Sequence, residues 1–431
     1  MLMPACPERA ERVERAATSL ETLRAREFSR LDVSGCAYLD YAGAALYPAS
    51  LVQRHSERLL AGVLGNPHSD NAPSRASTSA LDAAREATLC FVDADPADYE
   101  VIFTANASGA MRILAEAFPF GVGSRLVLTA DNHNSVNGIR LAARGRGADV
   151  VYVPLDRELH AHDPRPSLPH VSAPSLFAFP AQSNFSGVHH PLEWIDIARS
   201  RGYRVLLDVA ALVPTVPFSL SSIGADFIAL SFYKLFGYPT GIGALVAKRD
   251  ALASLRRQYF GGGTVHVASV RSDAVRLKGG GAAFEDGTPS FLAAAAVTDG
   301  LGWIAGIGMP VIARHVASLT AVLLDALSQL RHRVVIYGPS NRSSRGGIIA
   351  FNVLRDDGRL VPFQEVEAAA RERGIAIRGG CFCNPGAAEH ALGIDASIAG
   401  EVVGAVRASI GPATTRDDIT RLVDLLRMAF N

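Results

Sequence analysis

Lysine is nearly missing from this chain. Of 431 residues, 42 are Lys or Arg, and only Lys234, Lys248 and Lys278 are lysines; arginine supplies the other 39. A guanidinium keeps its proton in a protein, whereas an amine can lose one and attack a carbonyl. Writing almost every basic position as arginine excludes amine chemistry at all but three places, which makes those three informative. Cysteine is scarce too, at five: Cys6, Cys36, Cys90, Cys381 and Cys383. So few thiols, behind a start (Met1-Leu2-Met3-Pro4-Ala5-Cys6-Pro7) with neither basic leader nor apolar run, argue against a disulfide framework and a secretory signal. A reducing, cytoplasmic compartment is the expectation. Cys36 and Cys90 lie in apolar sequence and are expected to pack as small hydrophobes.

Charge imbalance is absent: 42 acidic residues offset the 42 basic ones, for a formal net charge of zero. That argues against a nucleic-acid surface. With 48% hydrophobic and 19% charged residues, the composition is that of an ordinary globular protein. No apolar run of membrane length is unbroken. The longest window, 291–313, is interrupted by Asp299, Pro310 and glycines at 300, 302, 306 and 308, and reads as two core helices joined by a Gly-rich turn rather than a membrane span. There is no internal repeat and no low-complexity segment.

Among the three lysines, Lys248 and Lys278 sit beside Arg and Gly in polar contexts, as solvated surface residues do. Lys234 is surrounded by Phe232, Tyr233, Leu235, Phe236 and Tyr238. Burial among them would depress the amine pKa and prepare a nucleophile or Schiff-base former. A lysine stem snorkelling out of an apolar patch would carry the same sequence.

Residues 8–30 alternate charges with Val13, Ala16, Leu20, Leu23 and Phe28, the pattern of an amphipathic helix. A short strand (37–40) and a helix begun by a proline (48–63) follow, ended by Gly65-Asn66-Pro67-His68. From Tyr99 onward, short β-rich runs recur at 100–104, 125–129, 150–153, 176–179, 204–207, 227–230 and 243–247, several separated by helical segments at 111–118, 135–144 and 192–201. This predicts an α/β fold with a mostly parallel seven-stranded sheet covered on both faces. Past Ser290 the rhythm changes to long helices (291–304, 309–330), then to alternating elements at 333–336, 348–353, 362–373, 375–377, 405–409 and 416–428, a smaller α+β unit. The predicted division is an N-terminal helical segment (1–36), a large domain (37–290) and a small C-terminal domain (291–431). Residues 160–175 and 261–281, rich in Pro, His or Gly, read as loops.

In a parallel sheet, ligands collect beyond the carboxyl ends of the strands. After the first run, Ala105-Asn106-Ala107-Ser108-Gly109 opens a helix whose free N–H groups suit a phosphate, although any helix cap has similar composition. His133 follows the second run, Gln182-Ser183-Asn184 the fourth, Asp208 the fifth and Lys234 the sixth. An acid, an amine, an aromatic surround and a phosphate cradle are the parts of a pyridoxal phosphate site. The lysine holds the aldehyde, the acid keeps the ring nitrogen protonated and the helix terminus takes the phosphate.

These residues extend into longer motifs: YLDYAGAALYP from Tyr38, GNPHS from Gly65, VIFTA from Val101, FPAQSNFSG from Phe179, SFYKLFGYPTGIGALV from Ser231, YFGGGT from Tyr259, FEDGTPSF from Phe284 and RGGCFCNPGA from Arg378. The chain resembles the class V aminotransferase group of fold-type I pyridoxal phosphate enzymes, most nearly the cysteine desulfurase domain of molybdenum cofactor sulfurases. The resemblance implies that Lys234 carries pyridoxal 5′-phosphate as a Schiff base, His133 stacks on the ring, Asp208 pairs with the ring nitrogen and Asn184 faces the ring hydroxyl. Ser231, Ser108 and the amides of Asn106 and Ala107 would take the phosphate, with Thr288 reaching it across a homodimer interface. Arg407 would clamp the substrate carboxylate, a role suited to a bidentate guanidinium. The implied activity is release of alanine from L-cysteine, or turnover of a related small amino acid, with sulfur passed to an acceptor protein or cofactor; the molybdenum cofactor is one such acceptor. A C–S lyase or aminotransferase acting on another amino acid is the alternative.

Two departures separate the chain from simple cysteine desulfurases: Tyr233 stands where they place His before the lysine, and Ala211 where they often carry Gln. Cys381-Phe382-Cys383 reads three ways. The pair is a metal clip or a redox couple, although nothing else at ligand spacing supports a zinc site; or both thiols are buried and inert; or one is a nucleophile on a Gly-flanked loop with Arg378 nearby to favour its thiolate. The resemblance singles out Cys383 as the persulfide-forming residue, gives Cys381 no role and implies no metal.

Overall fold

The computed structural model describes residues 20–393 and 404–430. Its centre is a seven-stranded sheet formed by β1 (Tyr99–Thr104), β2 (Arg125–Thr129), β3 (Asp149–Val153), β4 (Ser175–Pro180), β5 (Tyr203–Asp208), β6 (Phe227–Ser231) and β7 (Gly243–Lys248). The spatial order is β1-β7-β6-β5-β4-β2-β3, and only β7 runs against its neighbours. Strand residues alternate between two cores: Val127, Phe177, Phe179, Val205, Leu207, Ile228 and Leu230 face one, Leu126, Leu128, Leu176, Ala178, Leu206, Phe227 and Ala229 the other. A sheet buried on both faces needs such continuous apolar runs, and that is why all seven strands were readable.

The smaller sheet is antiparallel: β8 (Val334–Tyr337), β9 (Ile348–Val353), β10 (Arg378–Gly380) and β11 (Ala405–Ser409), ordered β8-β9-β11-β10. Helices Met309–Gln329 and Phe363–Glu372 pack with it, and Arg416–Met428 packs on those two helices and on the Ala37–Tyr38 and Ile375–Ala376 segments. The last begins at a reciprocal cap between Thr415 and Asp418. The N-terminal strand Ala37–Tyr38 pairs with Ile375–Ala376, and Asp40 bridges to Ser409, so the chain's early residues reach the small sheet. Phe291–Ile307 packs along Ala72–Phe91, on the large-sheet side. Met309–Gln329 is long and apolar enough to cross a membrane, yet it turns Ile312, Val316, Leu319, Leu323, Leu324 and Leu327 into the core.

Several local readings need correction. Ala72–Phe91, a 20-residue helix, was not anticipated. Its buried face is Ser74, Ser77, Leu81, Ala84 and Thr88, correctly spaced but too polar to register as an apolar stripe. Its cap, Asn71 accepting from Ser74 N at 3.0 Å with a proline following, was the available signal. The 261–281 stretch is not all loop: Val265–Ala268 pairs with Val275–Leu277 as a hairpin. The expected N-terminal helix breaks into Leu20–Glu27 and Arg30–Ser34, and residues 8–19 lie outside the described residues. The predicted 135–144 helix begins at Asn134 and is interrupted at Gly138. Cys36 is half-buried against a small apolar cluster, but Cys90 is exposed on the outer face of its helix rather than packed.

Candidate active site

Lys234 lies in the single-turn helix Phe232–Phe236 that leaves β6. Phe232, Leu235 and Phe236 are buried, fixing the turn from three sides. Gly237 ends it with φ 72°, and a Cβ there would come within 2.4 Å of Tyr47 N, so only glycine permits this approach. Lys234 lines a cavity shared with Tyr41, Gln182, Ala210, Thr215 and Ser409. Burial depresses its pKa; Asp208 opposes the shift, and Arg407 and Arg378 reinforce it. The snorkelling alternative fails, because the amine faces the site instead of bulk water.

Asp208 is the last residue of β5, its Oδ1 accepting from Ala210 N at 3.0 Å. His133 follows β2 and caps the next helix, its Nδ1 accepting from Ser135 N at 3.1 Å, which leaves the ring proton on Nε2. Burial lowers the His133 pKa against the pull of Asp208, with Lys234 among the groups that lower it further. The three strand-end residues chosen from sequence thus act on one another electrostatically.

Asn106 caps helix Ala107–Ala117 by accepting from Gly109 N at 3.0 Å. Ser231 Oγ accepts from Ala107 N at 2.9 Å, so this amide is already engaged and the Ser231 hydroxyl proton is what remains to donate. Ser108 Oγ meets Ser135 Oγ at 2.6 Å on the exposed rim. Gly243, unremarked in the sequence, lets β7 touch Asn106: a Cβ there would lie 2.6 Å from its Cα. Thr288 is exposed on a separate segment, accepting from Asn66 Nδ2 at 3.3 Å, and does not join the Lys234 group within this chain.

Asn184 occupies the expected strand end with unexpected partners. Its Nδ2 donates to the Phe382 carbonyl at 2.7 Å, and its Oδ1 accepts from Asn384 Nδ2 at 2.9 Å. The side chain bolts the cysteine-bearing loop to the large domain. Asn384, fully buried, also donates to the Asp131 carbonyl at 2.6 Å and caps helix Pro385–Leu392 through Ala387 N. The Cys383 carbonyl accepts from Asn134 N at 2.7 Å. Phe382 and Cys383 have φ of 56° and 57°, the left-handed region, in a turn held from several sides. Cys383 is half-buried and near enough to Lys234, Arg407 and Tyr233 to act on them electrostatically; Cys381 packs against the core. The thiols are free, and among the described residues no trio of His, Cys, Asp or Glu could hold a metal.

Arg407 is 1% exposed on β11. Its Nη2 pairs with Asp40 Oδ1 at 3.0 Å, its Nη1 donates to the Asn184 carbonyl at 3.0 Å, and its plane lies 4.7 Å from the Phe382 ring centre. Asp40 and Asn384 are the residues that sequence reasoning missed. For Asn384 the following proline was a cap signal; Asp40 sits 367 positions from its partner and had none.

Residues 37–422 match the family of aminotransferase class-V proteins. The chain belongs to that family. Among curated relatives of this class V protein is the molybdenum cofactor sulfurase of Homo sapiens, 37% identical over 93% of this chain and 50% of that protein. The chain therefore spans about half the length of that relative. Among solved structures, the apo cysteine desulfurase of Thermococcus onnurineus superposes with a TM-score of 0.83 at 25% identity, covering 94% of this chain and 96% of that one. At the level of fold alone, with a TM-score of 0.75 and 20% identity over 95% of this chain and 99% of that one, it resembles a C-DES protein carrying glycine covalently linked to its pyridoxal phosphate cofactor. The family is a pyridoxal-phosphate-dependent fold, and this class V site fits that group on its own geometry. A depressed lysine amine, a strand-end carboxylate and a neutral imidazole converge beside a capped helix terminus.

Proposed function

We propose that this chain is a pyridoxal-5′-phosphate-dependent cysteine desulfurase that moves sulfur from L-cysteine to Cys383 and on to an acceptor. The observation that carries the reading is the docking of Cys383 onto the Lys234 site, through Asn184, Asn384 and Asn134. The cofactor would be held by Lys234, with Asp208 at the ring nitrogen, His133 on the ring face, and Ser231 with the Asn106–Ser108 turn at the phosphate. When bound, pyridoxal phosphate supplies the electron sink that makes the Cα proton labile and the C–S bond breakable.

Lys234, its pKa lowered by burial, takes the Cα proton and returns it. The Cys383 thiolate attacks the substrate sulfur: an S–S bond forms, the Cβ–S bond breaks, and its electron pair stays on carbon. The proton given up by the thiols ends on Cβ, so alanine leaves and Cys383 keeps a persulfide. The molybdenum cofactor is the acceptor favoured by the relatives' names; the cytoplasm is proposed as the compartment on the scarcity of cysteine alone.

A homodimer is part of the proposal. Leu59, Leu60, Val63, Tyr259, Phe260 and Leu292 are exposed around the segment that carries Thr288, an apolar face a second copy would cover while bringing Thr288 toward the partner's phosphate site. The test is alanine formation from L-cysteine. Wild type is expected to release alanine stoichiometrically without thiol and catalytically with it, and Cys383→Ser to lose at least 90% of both, on the order expected for a missing nucleophile. Full alanine output from Cys383→Ser would remove Cys383 from the reaction.

A further inference from the structure

Gln182 lines the cavity beside Lys234 and is 1% exposed, yet no step of the proposed reaction uses it. Its amide bridges two elements. Nε2 donates to the Ala211 carbonyl at 3.0 Å, and Oε1 meets His189 Nε2 at 2.7 Å. An amide oxygen only accepts, so His189 Nε2 carries the proton. Turning the amide over would set Oε1 against the Ala211 carbonyl, so the His189 N–H and that carbonyl together fix which way Gln182 points. Gly346 makes the space, since a Cβ there would collide with Gln182 Oε1. Gln182 and His189 also form an antiparallel bridge at the neck of the loop that carries Asn184.

The far end of this relay is the turn that follows β5. Asp208 Oδ1 accepts from Ala210 N at 3.0 Å, the bond of an Asx turn, and the Asp208 carbonyl accepts from Ala181 N at 2.9 Å. Residues 181 and 182 therefore grip the turn at two points. The bond from Ala181 is made by backbone, which any residue but proline supplies; the bond to Ala211 needs the Gln182 side chain. Asp208 acts electrostatically on both Lys234 and His133, so the aim of its carboxylate bears on the whole group. We propose that Gln182, aimed by His189, is a positioning residue for Asp208, holding the 208–211 turn so that the carboxylate stays aligned with the cofactor's ring nitrogen. Without that grip the carboxylate keeps its charge and loses its direction. The proposal rests on reading Asp208 as the partner of that nitrogen, but not on the fate of sulfur.

The experiment titrates the full chain, stripped of cofactor, with pyridoxal phosphate and with its 1-deaza analogue, in which carbon replaces the ring nitrogen. Wild type is expected to prefer pyridoxal phosphate about tenfold or more, the worth of one hydrogen bond to a charged group. Gln182→Met, similar in length but without the amide, is expected to cut that preference to about twofold by weakening pyridoxal phosphate and sparing the analogue. His189→Phe, which leaves the amide without its orienting donor, should fall between. Asp208→Ala should abolish the preference. An undiminished preference in Gln182→Met overturns the proposal, as does equal weakening of both ligands, which marks a structural role. Should Gln182→Met not fold, a wild-type preference in His189→Phe overturns it equally. Loss of preference in Asp208→Ala alone leaves the ring-nitrogen reading standing and sinks only the role of Gln182. A wild type without preference, or an Asp208→Ala variant that keeps it, refutes that reading and the proposal together.

Discussion

Lys234 is where one residue's chemistry is most exposed to test. Its amine is depressed by burial, so the neutral, proton-accepting form is more populated near neutral pH than for a free lysine. Proton removal by Lys234 should accelerate as pH rises through that lowered pKa and then level off. Lys234→Arg, which keeps the charge but cannot form a Schiff base, is expected to leave a folded protein that takes up pyridoxal phosphate without the visible band destroyed by borohydride reduction in wild type. A reducible band in Lys234→Arg would move the attachment elsewhere. At this scale the sequence was informative where a residue type is chemically irreplaceable and sits at a strand end, as with Lys234, Asp208 and His133. It was uninformative where function depends on a partner far along the chain. Nothing near Asp40 announces its ion pair with Arg407, and nothing in Asn184 shows that its amide faces the Phe382 carbonyl.

The loop at 381–384 carries the argument at the scale of an element. Two successive left-handed residues that are not glycine cost roughly 1–3 kcal/mol each, so the conformation persists only because its surroundings fix it. Asn384 is the principal anchor, with bonds to Asp131, Asn184 and Ala387, and Gly386 lets the following helix press against the Ala130 carbonyl. Asn384→Ala is expected to lower the rate of persulfide formation at least tenfold, about the loss of one well-made buried hydrogen bond, with KM for cysteine changed less than threefold. Alkylation of Cys383 should quicken as the loop is released. An unaltered single-turnover rate in Asn384→Ala would show that the docking does not serve sulfur transfer. Helices reveal the same limit on reading: Phe291–Ile307 was legible from its apolar length, whereas Ala72–Phe91 buries Ser, Thr and Ala and was not.

In the whole molecule, the two-sheet architecture was readable because each sheet imposes its own hydrophobic rhythm, and one apolar core runs between them, while the polar stitching that accompanies that core was not, because no periodicity marks it. His189 belongs to that stitching: Nε2 meets Gln182 Oε1 at 2.7 Å, its backbone N donates to the Ser344 carbonyl, and burial, with help from His190 and Arg345, pushes its pKa down to about 4. The unfolded chain binds this proton near pH 6.5 and the folded one does not until about pH 4, so stability falls as pH drops through that window. The contribution is at most about 3 kcal/mol, and His189→Gln should flatten the pH dependence of the urea midpoint between those limits; an equally steep dependence in the variant would reject the assignment. The central claim, that the folded chain carries sulfur from cysteine to Cys383, is tested most directly by mass mapping of the holoenzyme after incubation with L-cysteine and no reductant. One additional sulfur atom on the peptide, localised to Cys383 and accompanied by one equivalent of alanine, is the predicted result. Alanine without sulfur on Cys383, or sulfur localised to Cys381 instead, would contradict it.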